Sequence, residues 1–133
     1  MSFEATVFMK MRCDDVEYCL KSTRPIQFFF PPELHSHIAL EEGIGNCICE
    51  TINVKQSVIP IREDRSSKQG VVIDVRCVRD NDERMVEKLV HTGRWAWVIS
   101  SSNVYDSDGK IDPVRTERFR SGLGKQRNGS THH

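Results

Sequence analysis

Two closely spaced pairs of metal-binding residue types lie between positions 35 and 49. His35 and His37 are separated by one residue, and so are Cys47 and Cys49. Zinc is commonly held by four such ligands, taken from pairs with two to four residues between them. Residues i and i+2 point to different sides of a helix and lie about 7 Å apart along a strand. The spacing therefore argues against a shared ion, and we expect no metal at these residues.

Carboxylates suggest two further metal sites, one for calcium and one for magnesium, and the sequence evidence for both is weak. Residues 106–117 have acidic groups at calcium-loop positions 1, 3 and 12, but Ile111 stands where such a loop needs glycine. A nuclease-type magnesium site could use four carboxylates, those of Asp74, Asp80, Asp82 and Glu83. Helix capping accounts for the last three of these residues. The chain contains none of the common nucleophile, zinc-protease or phosphate-loop motifs. We therefore expect a protein without catalysis or cofactor.

Aromatic residues are the feature most suggestive of binding. Trp95 and Trp97 share one face of a predicted strand, and Arg94 precedes them. Such rings either fill a core or stack on unpaired bases while arginines contact phosphates. Phe28, Phe29 and Phe30 are consecutive, so on a strand they must point to both faces. This pattern suggests more aromatic surface than a chain of this size can bury, which another molecule would cover.

Charge is unevenly distributed along a chain whose net charge is zero. Residues 110–133 hold six basic and two acidic side chains, a local net charge of +4. The other 109 residues hold 13 basic and 17 acidic side chains, a local net charge of −4. A basic end on an acidic body favours contact with an anionic partner or with the body itself. The predicted binding residues are Trp95, Trp97, Phe28, Arg94, Arg115, Arg118 and Arg120.

The elements that must position these residues follow from hydrophobic periodicity. Residues 3–12 alternate apolar and polar, a turn follows, and residues 16–21 alternate again, which predicts a β-hairpin. Residues 26–30 predict a third strand that ends at two prolines. The prolines and a later glycine predict a helix over residues 31–43. Residues 47–61 predict one or two strands, and residues 71–79 predict another.

The second half of the chain predicts the second helix and one more strand. An apolar stripe follows residue 82, Asp80 or Asn81 can cap it, and Gly93 can end it. A strand then carries the two tryptophans, and a short helix is predicted after Pro113. The pattern predicts an α+β fold with a curled, mainly antiparallel sheet, either a small barrel or a sandwich and possibly OB-like, with two helices besides the short one after Pro113. We expect one domain over 1–120 and a basic, disordered tail over 121–133.

Cysteine usage and the absence of export signals point to a reducing compartment. Five cysteines form no recognisable disulfide framework, and the first residues lack the layout of a secretory signal. No apolar run approaches the ~18 residues that cross a bilayer. We therefore expect an intracellular protein of the cytoplasm or nucleus.

Three functions remain open on this reading. The first is an interaction module of a nucleoprotein or nucleic-acid-handling assembly, binding single-stranded RNA or DNA or partner proteins through an aromatic sheet face and basic tail. The second is a protein–protein adaptor or self-associating scaffold, such as a homo-oligomer, without nucleic-acid contact. The third is a small metal-dependent hydrolase or nuclease.

Overall fold

The alternating residues at the start of the chain form the central hairpin of the sheet. The computed structural model describes residues 3–41, 46–57 and 70–129. Strand β1 (Phe3–Cys13) pairs with the antiparallel strand β2 (Val16–Ser22), in a register that runs from Phe8 opposite Lys21 to Cys13 opposite Val16. Asp14 has a φ of 56° in the connecting turn, a left-handed conformation that aspartate tolerates better than most residues. The predicted hairpin is confirmed.

Six further strands extend this hairpin into one mixed, mostly antiparallel sheet. They are β3 (Ile26–Phe28), β4 (His37–Glu41), β5 (Asn46–Ser57), β6 (Gly70–Cys77), β7 (Trp95–Trp97) and β8 (Asn103–Val104). The main path is β4-β5-β6-β1-β2-β7, while β3 pairs with β1 and β8 pairs with β2. The β1–β6 pair is parallel, and the other described strand pairs are antiparallel. The α+β prediction is confirmed, but the sheet of the described residues is open, so the closed barrel that we considered is not formed.

The core lies on one face of the sheet. Alternate residues of β1 are buried there, together with inward residues of neighbouring strands: Ala5, Val7, Met9, Met11, Leu20, Cys49, Ile73 and Val75. Helix α1 (Glu83–His91) adds Val86 and Leu89, and helix α2 (Pro113–Gly129) adds Leu123. Burial of an alternating strand face against helices is the usual source of stability in such a domain.

Helix α1 follows its sequence signals closely, with one change at its start. The N-cap is Asp82, whose side chain accepts a hydrogen bond of 3.0 Å from the Arg84 amide. The prediction of Asp80 or Asn81 as the cap is therefore wrong, because the helix begins at Glu83 and its cap lies two residues after Asp80. Gly93 has a φ of 76° just after the helix, as expected of a C-terminal glycine.

The helix predicted over 31–43 is not formed, and β4 occupies its second half. His35 has a φ of 66°, which interrupts any helix, and the Thr51 amide donates to the Ser36 carbonyl at 2.9 Å. From His37 onward the chain pairs with β5, with Ile38 opposite Cys49. A short apolar stretch has no decisive period of its own, so the available strand partner determined its conformation.

Helix α2 extends beyond residue 120, where the sequence analysis placed the end of the domain. It continues to Gly129, and Leu123 is only 3% exposed in the core cluster. Residues 121–129 are thus helical in the structure. The apolar side chain of Leu123 is the physical reason, because its burial beside Tyr18 and Phe119 holds the helix against the sheet.

Buried hydroxyl groups replace backbone partners where the strand ladder is interrupted. Ser22 Oγ accepts from the Val7 amide at 3.0 Å, and Ser102 Oγ accepts from the Cys19 amide at 3.0 Å. Thr116 Oγ1 likewise accepts from the Val104 amide at 3.0 Å. All three hydroxyl residues are buried. They satisfy amides that would otherwise lack an acceptor in the interior, and Thr116 ties α2 to β8.

Candidate functional site

A groove of about 770 Å³ lies where the two ends of the curled sheet face each other. One wall is formed by Ile38, Ala39 and Leu40 of β4, the first strand on the sheet path. The other walls come from the β2–β3 connection, β3 and the start of β7: residues 22–29 and 92–95. Strands at opposite ends of the sheet therefore line one cavity. The curl brings them together without hydrogen bonding between them, and the groove is the remaining gap.

Three of the seven predicted binding residues meet in this groove. Trp95, Phe28 and Arg94 all line it. Phe28 is half-buried and packs against Phe3, with ring centroids 6.4 Å apart. Arg94 follows the end of α1, and its carbonyl accepts from the Thr23 amide at 2.9 Å. The fold thus places together three predicted binding residues from distant parts of the chain.

Trp95 lines the groove as a buried residue, not as an exposed stacking platform. Its side chain is only 2% exposed and belongs to the core cluster. A ring buried to this extent cannot stack on a base, so the predicted platform of two tryptophans is not formed in this conformation. The indole Nε1 has no hydrogen-bond acceptor among the described residues. A buried donor without an acceptor costs ~1–3 kcal/mol, which makes this N–H an unusual feature of the core.

The other four predicted residues lie away from the groove and are mostly engaged within the chain. Trp97 packs against Tyr18 with ring centroids 5.4 Å apart. Arg115 forms an ion pair with Asp15, which holds the pKa of that carboxyl below its usual range. Arg120 donates to the Ser102 carbonyl at 2.9 Å and to Asn103 Oδ1 at 2.7 Å.

Arg118 is exposed on α2. Two of the three predicted binding arginines on α2 therefore tie this helix to the rest of the domain, as a basic end on an acidic body can do.

Phenylalanines beside the groove form the most exposed apolar surface among the described residues. Phe29 is 94% exposed and lines the groove, and the next residue, Phe30, is 81% exposed. Leu34 follows and is also exposed. We call these three residues the phenylalanine surface. Two fully exposed phenyl rings in sequence are uncommon on an isolated domain and are typical of interaction sites.

The electrostatic character of the groove is basic. The charged residues that line it are Arg24 and Arg94, and no carboxylate is among its described lining residues. Arg24, Phe29 and the β4 residues were not among the predicted binding residues. The run of phenylalanines shortly after an arginine is visible in the sequence, but the role of β4 was hidden by the incorrect helix prediction.

A second group of charged residues on the opposite face of the sheet is satisfied within the chain. Glu17 is buried, lies 3.8 Å from Arg76 Nε and accepts from the Tyr105 hydroxyl at 3.1 Å. The Arg12 guanidinium lies 4.8 Å from the centre of the Tyr105 ring. Burial and then Glu17 raise the pKa of Tyr105. This network connects β1, β2 and β6 to the loop after β8, and its groups bind one another.

The residue types considered for metal binding are dispersed. His35 lies 3.7 Å from Glu50, Asp82 caps α1, and Glu83 accepts from the Tyr18 hydroxyl at 2.9 Å. Within 3–41, 46–57 and 70–129, no three His, Cys, Asp or Glu residues are grouped so that they could hold an ion. Cys49 Sγ and Cys77 Sγ lie 3.5 Å apart. Burial raises the pKa of both the Cys13 and the Cys19 thiols to about 11.

The fold and the groove together define an open, curled α+β domain with an exposed apolar surface beside a basic groove. Neither protein-family models, curated proteins nor solved structures gave a match to this chain. In the described part of the chain, no helix has the combination of length and apolar character needed to cross a membrane.

Proposed function

We propose that the protein is a non-enzymatic interaction module that binds a partner protein through the phenylalanine surface and the adjoining groove. The observation that carries this proposal is the exposure of Phe29 and Phe30 at the edge of a groove large enough for several side chains. Ligand grooves of ~300–1,000 Å³ are ordinary for specific binding sites. Aromatic side chains at the centre of an interface supply most of its binding energy.

Single-stranded nucleic acid is a second candidate, favoured by one observation. Arg24 and Arg94 line the groove beside Phe29, and a phenyl ring next to arginines can stack on a base while the arginines contact phosphates. The basic helix supports this candidate less, because Arg115 and Arg120 are engaged within the chain. The protein partner is preferred because the groove is also bordered by a strand edge, which a peptide backbone can use and a base cannot.

A photo-crosslinker placed on the phenylalanine surface tests the proposal. Phe29→p-benzoylphenylalanine is expected to give an adduct with a specific protein in cells, identified by mass spectrometry and then reconstituted from purified components. The matched control carries the same group at Val114, an exposed position on α2 that is remote in the chain. Burying one phenylalanine contributes ~1.5–3 kcal/mol. We therefore expect Phe29→Ser with Phe30→Ser to weaken the reconstituted complex at least ~100-fold.

Other adducts would contradict the proposal in defined ways. Identical adducts from positions 29 and 114 would show that the phenylalanine surface has no selective partner. Adducts that are destroyed by nuclease would favour the nucleic-acid candidate, which a salt-dependent gel shift with single-stranded RNA would then check. An unchanged affinity of the double serine variant would remove the two rings from the interface.

A further inference from the structure

The outer edge of β4 carries backbone groups that face the groove. In an antiparallel pair, hydrogen-bonded and non-hydrogen-bonded residue pairs alternate. The Ile48 carbonyl accepts from the Val78 amide on the β6 side, so the backbone groups of the next residue, Cys49, face β4. Cys49 lies opposite Ile38, which makes them a hydrogen-bonded pair. The backbone N–H and C=O of Ala39 therefore point outward.

This assignment agrees with the pairing at the start of β4. The Thr51 amide donates to the Ser36 carbonyl, and residues 36 and 51 are each two positions from Ile38 and Cys49. Ala39 also lines the groove, and no described strand pairs with this edge of β4. Among the residues that the structure describes, this edge is thus a row of backbone groups without a strand partner beside an apolar cavity. An extended peptide fits both the strand edge and the cavity, because its backbone can form hydrogen bonds with the edge and its alternate side chains can enter the cavity.

We propose that the groove binds an extended, acidic segment of a partner protein, which adds to β4 as an edge strand. The inference rests on the proposed function and specifies how the partner is held. Alternate side chains of the segment enter the groove beside Ile38 and Leu40, while its backbone pairs with Ala39. The intervening side chains remain in solvent.

Charge complementarity selects the acidic character of the segment. Arg24 lines the groove, and no carboxylate is among the described lining residues. An aspartate or glutamate next to the apolar residues of the segment faces the Arg24 guanidinium. Arginine pairs with a carboxylate through parallel hydrogen bonds, which fixes the direction of the bound chain as well as its affinity.

A selected peptide and its backbone-methylated forms test the inference. A displayed library of random 12-residue peptides is selected on the full chain, and the strongest peptide is synthesised with a fluorescein label. We expect alternating apolar residues and at least one carboxylate. N-methylation of the amides on the β4-facing side should weaken binding at least tenfold, and N-methylation at the intervening positions should leave it within threefold.

Variants of the protein test the same hydrogen bonds and charge contact from the side of the groove. Ala39→Pro removes the outward N–H at a position where edge strands tolerate proline, and we expect at least tenfold weaker binding. Ala39→Thr keeps that N–H and should remain within threefold of the original protein. Arg24→Glu should weaken the peptide about tenfold. If Ala39→Pro does not fold, the methylated peptides decide the question alone.

Several results would overturn the inference. The library could yield no enriched peptide, or the methylated peptides could all bind equally. A labelled 12-nucleotide oligouridylate could bind more tightly than any peptide. Light scattering could show a dimer that Ala39→Pro dissociates, which would identify a second copy as the occupant. If photo-crosslinking through Phe29 persists in Ala39→Pro, the proposed function stands and the added strand is refuted.

Discussion

Ser102→Ala is expected to reveal how much stability one buried hydroxyl provides at the interruption of the β2 edge. Strand β7 pairs with residues 20–22 of β2, and β8 pairs with residues 16 and 17. Cys19 lies between them, and its carbonyl accepts from the Val98 amide at 2.8 Å. Its amide has Ser102 Oγ as acceptor at 3.0 Å. The hydroxyl therefore takes the place of a missing strand residue.

The magnitude follows from what the substitution leaves behind. Ser102 is 0% exposed and Cys19 is buried, so water cannot reach the abandoned amide. The Val98 carbonyl, which the hydroxyl also contacts, keeps the Ser101 amide as a donor at 3.2 Å. One buried N–H is thus left without an acceptor, which costs ~1–3 kcal/mol. At this chain length, each kcal/mol lowers Tm by roughly 3–5 °C.

Urea unfolding monitored by tryptophan fluorescence measures the effect, because Trp95 is buried in the same domain. Ser101→Ala is the matched control, since the neighbouring serine is exposed and should change stability by no more than ~0.5 kcal/mol. An unfolding midpoint of Ser102→Ala equal to that of the unsubstituted protein would refute the reasoning. An equal loss of stability in both variants would also refute it, and would show that the serines act through the backbone of the turn and not through the Ser102 hydroxyl.

Three further predictions concern the helices and the thiols. Leu123→Ala should destabilise the domain by ~2–5 kcal/mol in urea unfolding, and Val114→Ala, which is exposed, should change stability little; similar values would contradict a folded role for residues beyond 120. Asp82→Ala should cost ~1 kcal/mol in thermal unfolding because it removes the N-cap, whereas Asp80→Ala should not; the reverse order would contradict the cap assignment. Burial raises the pKa of the Cys19 thiol from 9.0 to about 11, so the folded state holds its proton longer and stability should fall as pH rises from 9 to 11. Cys19→Ala should make that fall less steep, and an unchanged slope would refute the assignment.

The hairpin of β1 and β2 could be predicted from the sequence because each strand has one buried and one exposed face. The period of two over residues 3–13 is strong enough to fix both the element and the direction of its side chains. Helix α1 could be predicted equally well, since acidic residues at its start, an apolar stripe and a terminal glycine all indicate a helix there. These features depend on local chemistry, which the sequence carries in full.

The candidate site depended on tertiary structure. The sequence identified Phe28, Arg94 and Trp95 as residues of interest, but it could not determine that they line one groove or that Trp95 is buried. The error over residues 31–43 had the same origin, because a short apolar stretch adopts the conformation that its partner offers. Strand β4 exists because β5 pairs with it.

The amino-acid pattern by itself determined the α+β class, the central hairpin, the capped helix and an excess of aromatic residues. The three-dimensional arrangement decided which rings are hidden and which are exposed. Trp95 is covered by the core, whereas Phe29 and Phe30 follow the last residue of β3 and are not buried by any described element. Periodicity records which face of an element is apolar, but burial depends on what the curl of the sheet brings against that face. The open groove between β3 and β4 is therefore a property of the folded sheet and not of any one segment.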